Sequence, residues 1–185
     1  MNKRTWLRLA ALAAIAGGAI WAWTGAHISL MPPGDPGAGV YRDTHSFMTR
    51  LGLGMALVTV GMTGVYASLR APGRWTTGAY VAAAAGSLLY GVGTLVRSDM
   101  DMSVQFDPLQ PLGFVLAMIG SLGFAARLTR SRDVPAWVKA LLWVGAVSMV
   151  LFNDQFVTSW AAVPFGLSWV AIGGYLALQT GKKGE

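Results

Sequence analysis

The chain has 185 residues, of which 54% are hydrophobic and 12% are charged, and it contains no cysteine. Soluble proteins carry about 25% charged residues. The 8 acidic and 14 basic residues are therefore too few to cover a water-soluble surface of this size. The composition predicts a membrane protein, and the lack of cysteine excludes disulfides, thiolate metal sites and a cysteine nucleophile.

Six stretches of the sequence are long and apolar enough to cross a membrane. A helix needs about 20 mostly apolar residues to span a bilayer core about 30 Å thick. The centres of the six stretches contain no Asp, Glu, Lys, Arg or His. We therefore predict an all-α polytopic integral membrane protein with six transmembrane helices in a single domain, 1–185. In chain order the predicted spans are 5–25, 46–69, 76–96, 112–128, 136–152 and 156–178.

The basic residues are concentrated on one side of these spans. Loops on that side are expected to face the cytoplasm, so we predict a multi-pass protein of the cytoplasmic (inner) membrane with both termini inside. The charges form short clusters between apolar runs, which argues against nucleic acid as a partner and leaves the lipid bilayer and other membrane subunits. The inner side carries Lys3, Arg4, Arg8, Arg70, Arg74, Arg127, Arg130, Arg132, Lys139, Lys182 and Lys183, and the outer side carries Arg42, Arg50 and Arg97.

Three of the predicted spans carry glycine pairs at a common spacing. Two glycines seven residues apart lie on one helix face and let a neighbouring backbone approach closely. We predict that these are helix-packing positions and that the even-numbered spans form the tight interior. The recurrence has two interpretations: three tandem helical hairpins, as in repeat-built transporters, or chance similarity among Ala-, Gly- and Leu-rich spans. The pairs are Gly54 and Gly61, Gly113 and Gly120, and Gly166 and Gly173.

The predicted outer loops contain most of the remaining polar chemistry. Imidazole and carboxylate groups are common metal ligands, so these residues are candidates for a ligand or metal site at the outer face. The two histidines lack the spacing of a helical metal motif, and the acidic second loop lacks the glycine and the final glutamate of a calcium loop. Interfacial histidines and a solvated loop are therefore the alternative. The candidates are His27, Asp43 and His45 in the first loop, Asp99, Asp101 and Asp107 in the second, and Asp154 in the third.

Two local features bear on the shape of the outer side. Asp43 or Thr44 is predicted to cap the start of the second span. Pro164 lies near the outer third of the sixth span, where a kink would separate helices. Together with the first two outer loops, this kink predicts a pocket that opens to the outside.

Three functions follow from these observations. Span centres without ionisable groups argue against a pump, a proton-coupled carrier or a voltage sensor. They favour a non-enzymatic accessory subunit of a membrane complex, or a binder of a small or lipophilic molecule, which is our preferred interpretation. The hairpin repeat favours a small-solute transporter or substrate-capture subunit with an outward-facing pocket. The outer His and Asp residues would suit a metal-dependent hydrolase or transferase at the outer leaflet. We assign no catalytic residue, and the sequence indicates no particular cofactor.

Overall fold

The computed structural model of the chain describes residues 2–99 and 109–181, without the side chains of Pro36, His45 and residues 96–99. Within these ranges the fold is all-helical. The one β-bridge that the described residues form joins Asp35 and Val40 in a loop. The six α-helices are α1 (Lys3–Ser29), α2 (His45–Ser68), α3 (Arg74–Asp99), α4 (Leu109–Thr129), α5 (Ala136–Leu151) and α6 (Ala162–Gly181), with short 3-10 helices at Pro36–Ala38 and Val157–Ala161.

Five of these helical segments are long and apolar enough to cross a membrane. They correspond to the first four predicted spans and the sixth. The predicted fifth span matches α5, which has only 16 residues and is therefore about 24 Å long, shorter than a typical bilayer core. The sixth predicted span starts as the 3-10 helix Val157–Ala161 and continues as α6.

The six helices form a closed ring in chain order. Each helix contacts the next, and α6 returns to contact α1, with the largest contacts between α3 and α4 and between α1 and α6. In the α1–α6 pair Gly18 meets Gly166 and Gly25 meets Ala162, so the two helices are antiparallel. The start of α1 and the end of α6 consequently lie at the same end of the bundle. We call this the terminal end, and the opposite one the loop end.

The expectation that the even-numbered helices form the interior is wrong. Across the part of the chain that the structure describes, the backbone of α4 approaches neither that of α2 nor that of α6, and α2 touches α6 only slightly. Helix α4 reaches α2 through side chains, with the Gln110 amide 3.9 Å from the Met48 sulfur. Each even-numbered helix packs instead on its odd-numbered neighbours in the ring. The reason is that the small residues that allow close approach occur on the odd helices as well.

Helices α3 and α4 approach each other at backbone distance. Gly86 of α3 faces Ala117 of α4, and Gly120 of α4 faces Ala83 of α3. A Cβ atom at Gly120 would lie 2.6 Å from the Cα atom of Ala83, a separation that side chains do not tolerate. Close backbone packing of this kind is how helices associate in lipid, which gives them no hydrophobic reason to do so.

The glycine pairs of the sequence all lie in helix contacts, but the contacts are not equivalent. The pair in α2 and the pair in α4 each face the preceding helix of their own hairpin. The pair in α6 faces α1, which belongs to the first hairpin, rather than α5. In packing terms the third hairpin therefore differs from the first two. Gly54 and Gly61 lie against α1, Gly113 and Gly120 against α3, and Gly166 and Gly173 against α1.

Aromatic side chains fill the centre of the ring. Trp21 is completely buried, and its ring centroid lies 4.8 Å from that of Phe165, 5.2 Å from that of Phe152 and 6.2 Å from that of Tyr90. Its indole N–H donates to the backbone carbonyl of Leu51 at 3.1 Å. A cavity of about 10 Å³ remains beside Phe165, which is the space of a single water molecule.

Two hydroxyl groups inside the bundle bond to their own helices. Thr59 donates to the carbonyl of Met55 at 2.9 Å, and Ser168 donates to the carbonyl of Pro164 at 2.6 Å. Such back-bonding satisfies a polar group without a partner from another helix. These side chains are therefore compatible with an apolar surrounding.

The predicted kink at Pro164 requires this residue to lie inside a continuous helix, but it lies in the first turn of α6. It is the third residue of α6, which begins at Ala162. Backbone N–H groups in the first helical turn have no partner within the helix, so proline is tolerated there. The 3-10 helix Val157–Ala161 directly precedes α6.

Candidate functional site

The described candidate residues His27, Asp43 and Asp154 all lie at the loop end. His27 is exposed on the last turn of α1, and its ring centroid is 4.9 Å from that of Trp23 and 6.3 Å from that of Phe47. Asp43 is exposed immediately before α2. Across residues 2–99 and 109–181, no group of three His, Asp or Glu residues is placed to hold a metal ion.

The other candidates lie wholly or partly beyond what the structure describes. His45 is the first residue of α2 and Asp99 the last of α3, and their side chains are outside the described set. Asp101 and Asp107 lie outside the described residues. The acidic part of the second loop thus stays a sequence prediction.

The dominant feature of the loop end is a buried arginine, Arg42, whose side chain is 7% exposed. Its Nε donates to the carbonyl of Pro32 at 2.9 Å, and its Nη2 donates to the carbonyl of Met31 at 3.2 Å. Its Nη1 donates to the carbonyl of Asp154 at 2.9 Å and to the hydroxyl of Ser159 at 3.0 Å. Carbonyl dipoles from two separate segments therefore surround the guanidinium charge. We call this arrangement the loop clamp.

A second set of contacts completes the loop clamp. Asp154 accepts hydrogen bonds from the hydroxyl of Thr44 at 2.7 Å and from the side-chain amide of Gln155 at 2.9 Å. The amide oxygen of Gln155 accepts from the backbone N–H of Arg42 at 2.8 Å, and its backbone carbonyl accepts from Gly34 at 2.8 Å. The first loop, 30–44, is therefore fastened to the third loop, 152–156, across the end of the bundle.

The loop clamp uses two residues that the sequence assigned other roles, Thr44 as a helix cap and Asp154 as a candidate ligand. Thr44 does occupy the N-cap position of α2, but its side chain makes no capping bond there; its hydroxyl is used to bind Asp154 instead. Asp154 is engaged in the contact between loops. From the sequence, Arg42 was assigned only as a charge on the outer side, because three of its four acceptors are backbone carbonyls, which no residue pattern reveals.

A pocket lined by described residues lies at the terminal end. This basic groove has a volume of about 320 Å³ and lies between the α2–α3 turn and the end of α4. Arg127 and Arg130 line it, and Trp75 stands at its edge. The guanidinium carbon of Arg127 is 5.6 Å from the Trp75 ring centroid, and that of Arg74 is 5.4 Å from it. From the sequence these arginines indicated only the orientation of the chain, because nothing in their spacing shows that they converge.

Side-chain bonds fix the two turns that form the basic groove. Lys139 donates to the backbone carbonyls of Thr129 at 3.3 Å and Ser131 at 2.5 Å, which orders the α4–α5 turn. Asp133 accepts from the backbone N–H of Arg70 at 3.2 Å, and the two side chains form an ion pair at 4.0 Å. The α2–α3 turn is thereby connected to the α4–α5 turn.

Comparison with known proteins adds no further constraint on these sites. No protein-family model, curated protein or solved structure matches the chain. The loop clamp and the basic groove therefore rest on the geometry of this chain alone, and we conclude that it is a helical-bundle protein with several helices suited to a membrane.

Proposed function

We propose that the chain is a six-span protein of the cytoplasmic membrane that serves as a non-enzymatic accessory subunit of a membrane complex. The proposed orientation places the terminal end in the cytoplasm. Its support is the positive-inside rule, because the described basic residues of the α2–α3 and α4–α5 turns lie at that end together with the start of α1.

The observation that carries the proposed role is that the polar side chains of the loop clamp bind the protein's own loops. Hydrogen bonds between the first and third loops close one end of the bundle and involve Arg42, Asp154 and Gln155. The centre of the bundle is filled by Trp21 and its aromatic neighbours. A bundle that is packed solid and fastened at one end is a rigid body. Such a body is suited to holding a neighbouring protein in place through its sides.

The sides of the bundle supply the surfaces for such contacts. Large apolar residues are exposed on α1, on α4 and on α5, facing away from the ring centre. Each face is suited to contact with lipid or with the helices of a partner, and a partner would be expected on one face rather than on all. Representative residues are Leu12 on α1, Ile119 on α4 and Val147 on α5.

Site-specific photocrosslinking in native membranes tests this role. A benzophenone amino acid is placed at Leu12, Ile119 or Val147 in three separate variants, and the irradiated membranes are extracted in mild detergent. We expect a discrete protein adduct from one face, and we expect the same protein to co-migrate with the unmodified chain on native gels. Lipid adducts alone from all three faces, with the chain migrating by itself, would remove the accessory-subunit role.

A further inference from the structure

We propose that the basic groove at the terminal end binds the phosphate headgroup of an anionic phospholipid in the adjacent leaflet. The groove, of about 320 Å³, lies at the lower end of the range of small-molecule sites. Its volume suits a headgroup rather than a large ligand. Leu69 and Leu128 are buried apolar residues of its lining, and Arg127 and Arg130 contribute its charge.

The charge balance of the basic groove selects an anion. Among the described residues of the lining, Asp133 is the acidic one, and it faces Arg70. Arg74, Arg127 and Arg130 form no ion pair with any residue that the structure describes. Guanidinium groups offer planar pairs of N–H donors that match phosphate oxygens. A phosphate in the groove would therefore meet arginines that are not already neutralised.

The position of Trp75 indicates that this anion carries acyl chains. Its side chain is 63% exposed, and exposed tryptophans in membrane proteins lie at the level of the headgroups. Gly78 follows on the same face of α3 about one turn farther into the helix, and Val81 lies in the next turn on the adjoining face. Gly78 has open space beside it and Val81 is exposed. The arginines are thus continuous with an apolar track, as an amphipathic phospholipid requires.

The basic groove is also preorganised for binding. Lys139 orders the α4–α5 turn, and Asp133 connects that turn to the α2–α3 turn. Fixed walls reduce the conformational entropy lost when a ligand binds. This proposal does not depend on the accessory-subunit role, because a lipid site of this kind would exist whether or not the chain has a protein partner.

Native mass spectrometry of the purified chain tests the proposal. Protein in mild detergent is titrated with phosphatidylglycerol, with phosphatidylcholine and with inorganic phosphate. The variant R127Q/R130Q removes the two lining arginines, and R132Q is the matched control, since Arg132 lies in the same segment but does not line the groove. We expect phosphatidylglycerol to bind in preference to phosphatidylcholine. Each lining arginine is expected to contribute about fivefold to its affinity, or about 25-fold together.

Several outcomes would overturn the proposal. Equal binding of the two lipids, retention of phosphatidylglycerol by R127Q/R130Q, or an equal loss in R132Q would each do so. Displacement of the lipid by millimolar inorganic phosphate would show a site for soluble anions instead.

A measurement on the wild-type chain covers the case in which the double variant does not fold. Phosphatidylglycerol with a diazirine in its acyl chain is irradiated in the complex, and adducts are located by peptide mapping. Adducts on α3 between Trp75 and Val81 are expected, whereas adducts spread evenly over all helices would contradict the site.

Discussion

Replacing Arg42 with alanine should release the first loop from the third. Its guanidinium makes four hydrogen bonds, at 2.9, 2.9, 3.0 and 3.2 Å. A hydrogen bond from a charged group contributes about 1.5–3 kcal/mol, so the four together give roughly 6–12 kcal/mol before any cost. Burial of the charge takes back several kcal/mol, and water reaches the freed carbonyls when the loop opens. We expect a net loss of about 3 kcal/mol of local stability.

Hydrogen exchange in lipid nanodiscs measures this loss directly. The backbone N–H of Gly34 donates to the carbonyl of Gln155 across the two loops, so its exchange rate reports how often they separate. A loss of about 3 kcal/mol corresponds to an exchange rate about 100-fold faster in R42A. R50A is the control, because Arg50 lies near the same end but is exposed and interacts with the ring of Phe47. An unchanged rate in R42A, or equal acceleration in R50A, would refute the reasoning.

Three further predictions concern packing and orientation. Gly120→Leu places a side chain against the backbone of α3 and should lower the free energy of unfolding by more than about 3 kcal/mol. We expect this loss to remove the monodisperse peak in size-exclusion chromatography. Gly78→Ala is the control and should leave that peak unchanged, because Gly78 faces open space. Trp21→Phe removes a buried hydrogen bond and ring volume, and we expect a loss of about 2 kcal/mol in thermal unfolding; an unaltered midpoint would contradict the central role of this residue. Because the chain has no cysteine, single cysteine variants report topology without background labelling. Ala38→Cys should react with a membrane-impermeant maleimide on intact cells, and Arg132→Cys should react only after lysis. The reverse labelling pattern would contradict the proposed orientation.

The existence of the helices was predictable from the sequence, but their ends were not. Long apolar runs indicate where a chain prefers lipid, and each described helix contains one. Backbone hydrogen bonding continues beyond such a run, so α1 extends from Lys3 to Ser29 instead of ending near residue 25. Its start is fixed by a local bond that hydropathy does not detect, from the backbone N–H of Arg4 to the side chain of Asn2 at 3.0 Å.

Glycine spacing predicted close approach without predicting the partner. Two glycines seven residues apart define one face of a helix, which is a property of that helix alone. Which neighbour occupies the face depends on the whole arrangement, and Gly166 therefore meets Gly18 of α1 rather than a residue of α5. The same limit explains why the even-numbered helices were wrongly expected to meet one another.

The loop end was the least predictable part of the described structure. The histidines and carboxylates drew attention because their side chains suit ligands, and spacing rules exist for such residues. Arg42 binds mainly backbone carbonyls of Met31, Pro32 and Asp154. Every residue carries a carbonyl, so no pattern of residue types marks these acceptors. Only the fold brings them around one guanidinium.

The contact between α1 and α6 sets an order for biogenesis. The face of α1 that carries Gly18 and Gly25 is completed by α6, which cannot insert until the intervening helices have been made. At about 5–20 residues per second this interval is roughly 7–30 s. During that time α1 is in the membrane beside α2 with its second packing face uncovered. The contact between α1 and α6 is therefore the last contact of the ring to form. A membrane chaperone or a second copy of the chain would have the longest time to bind there.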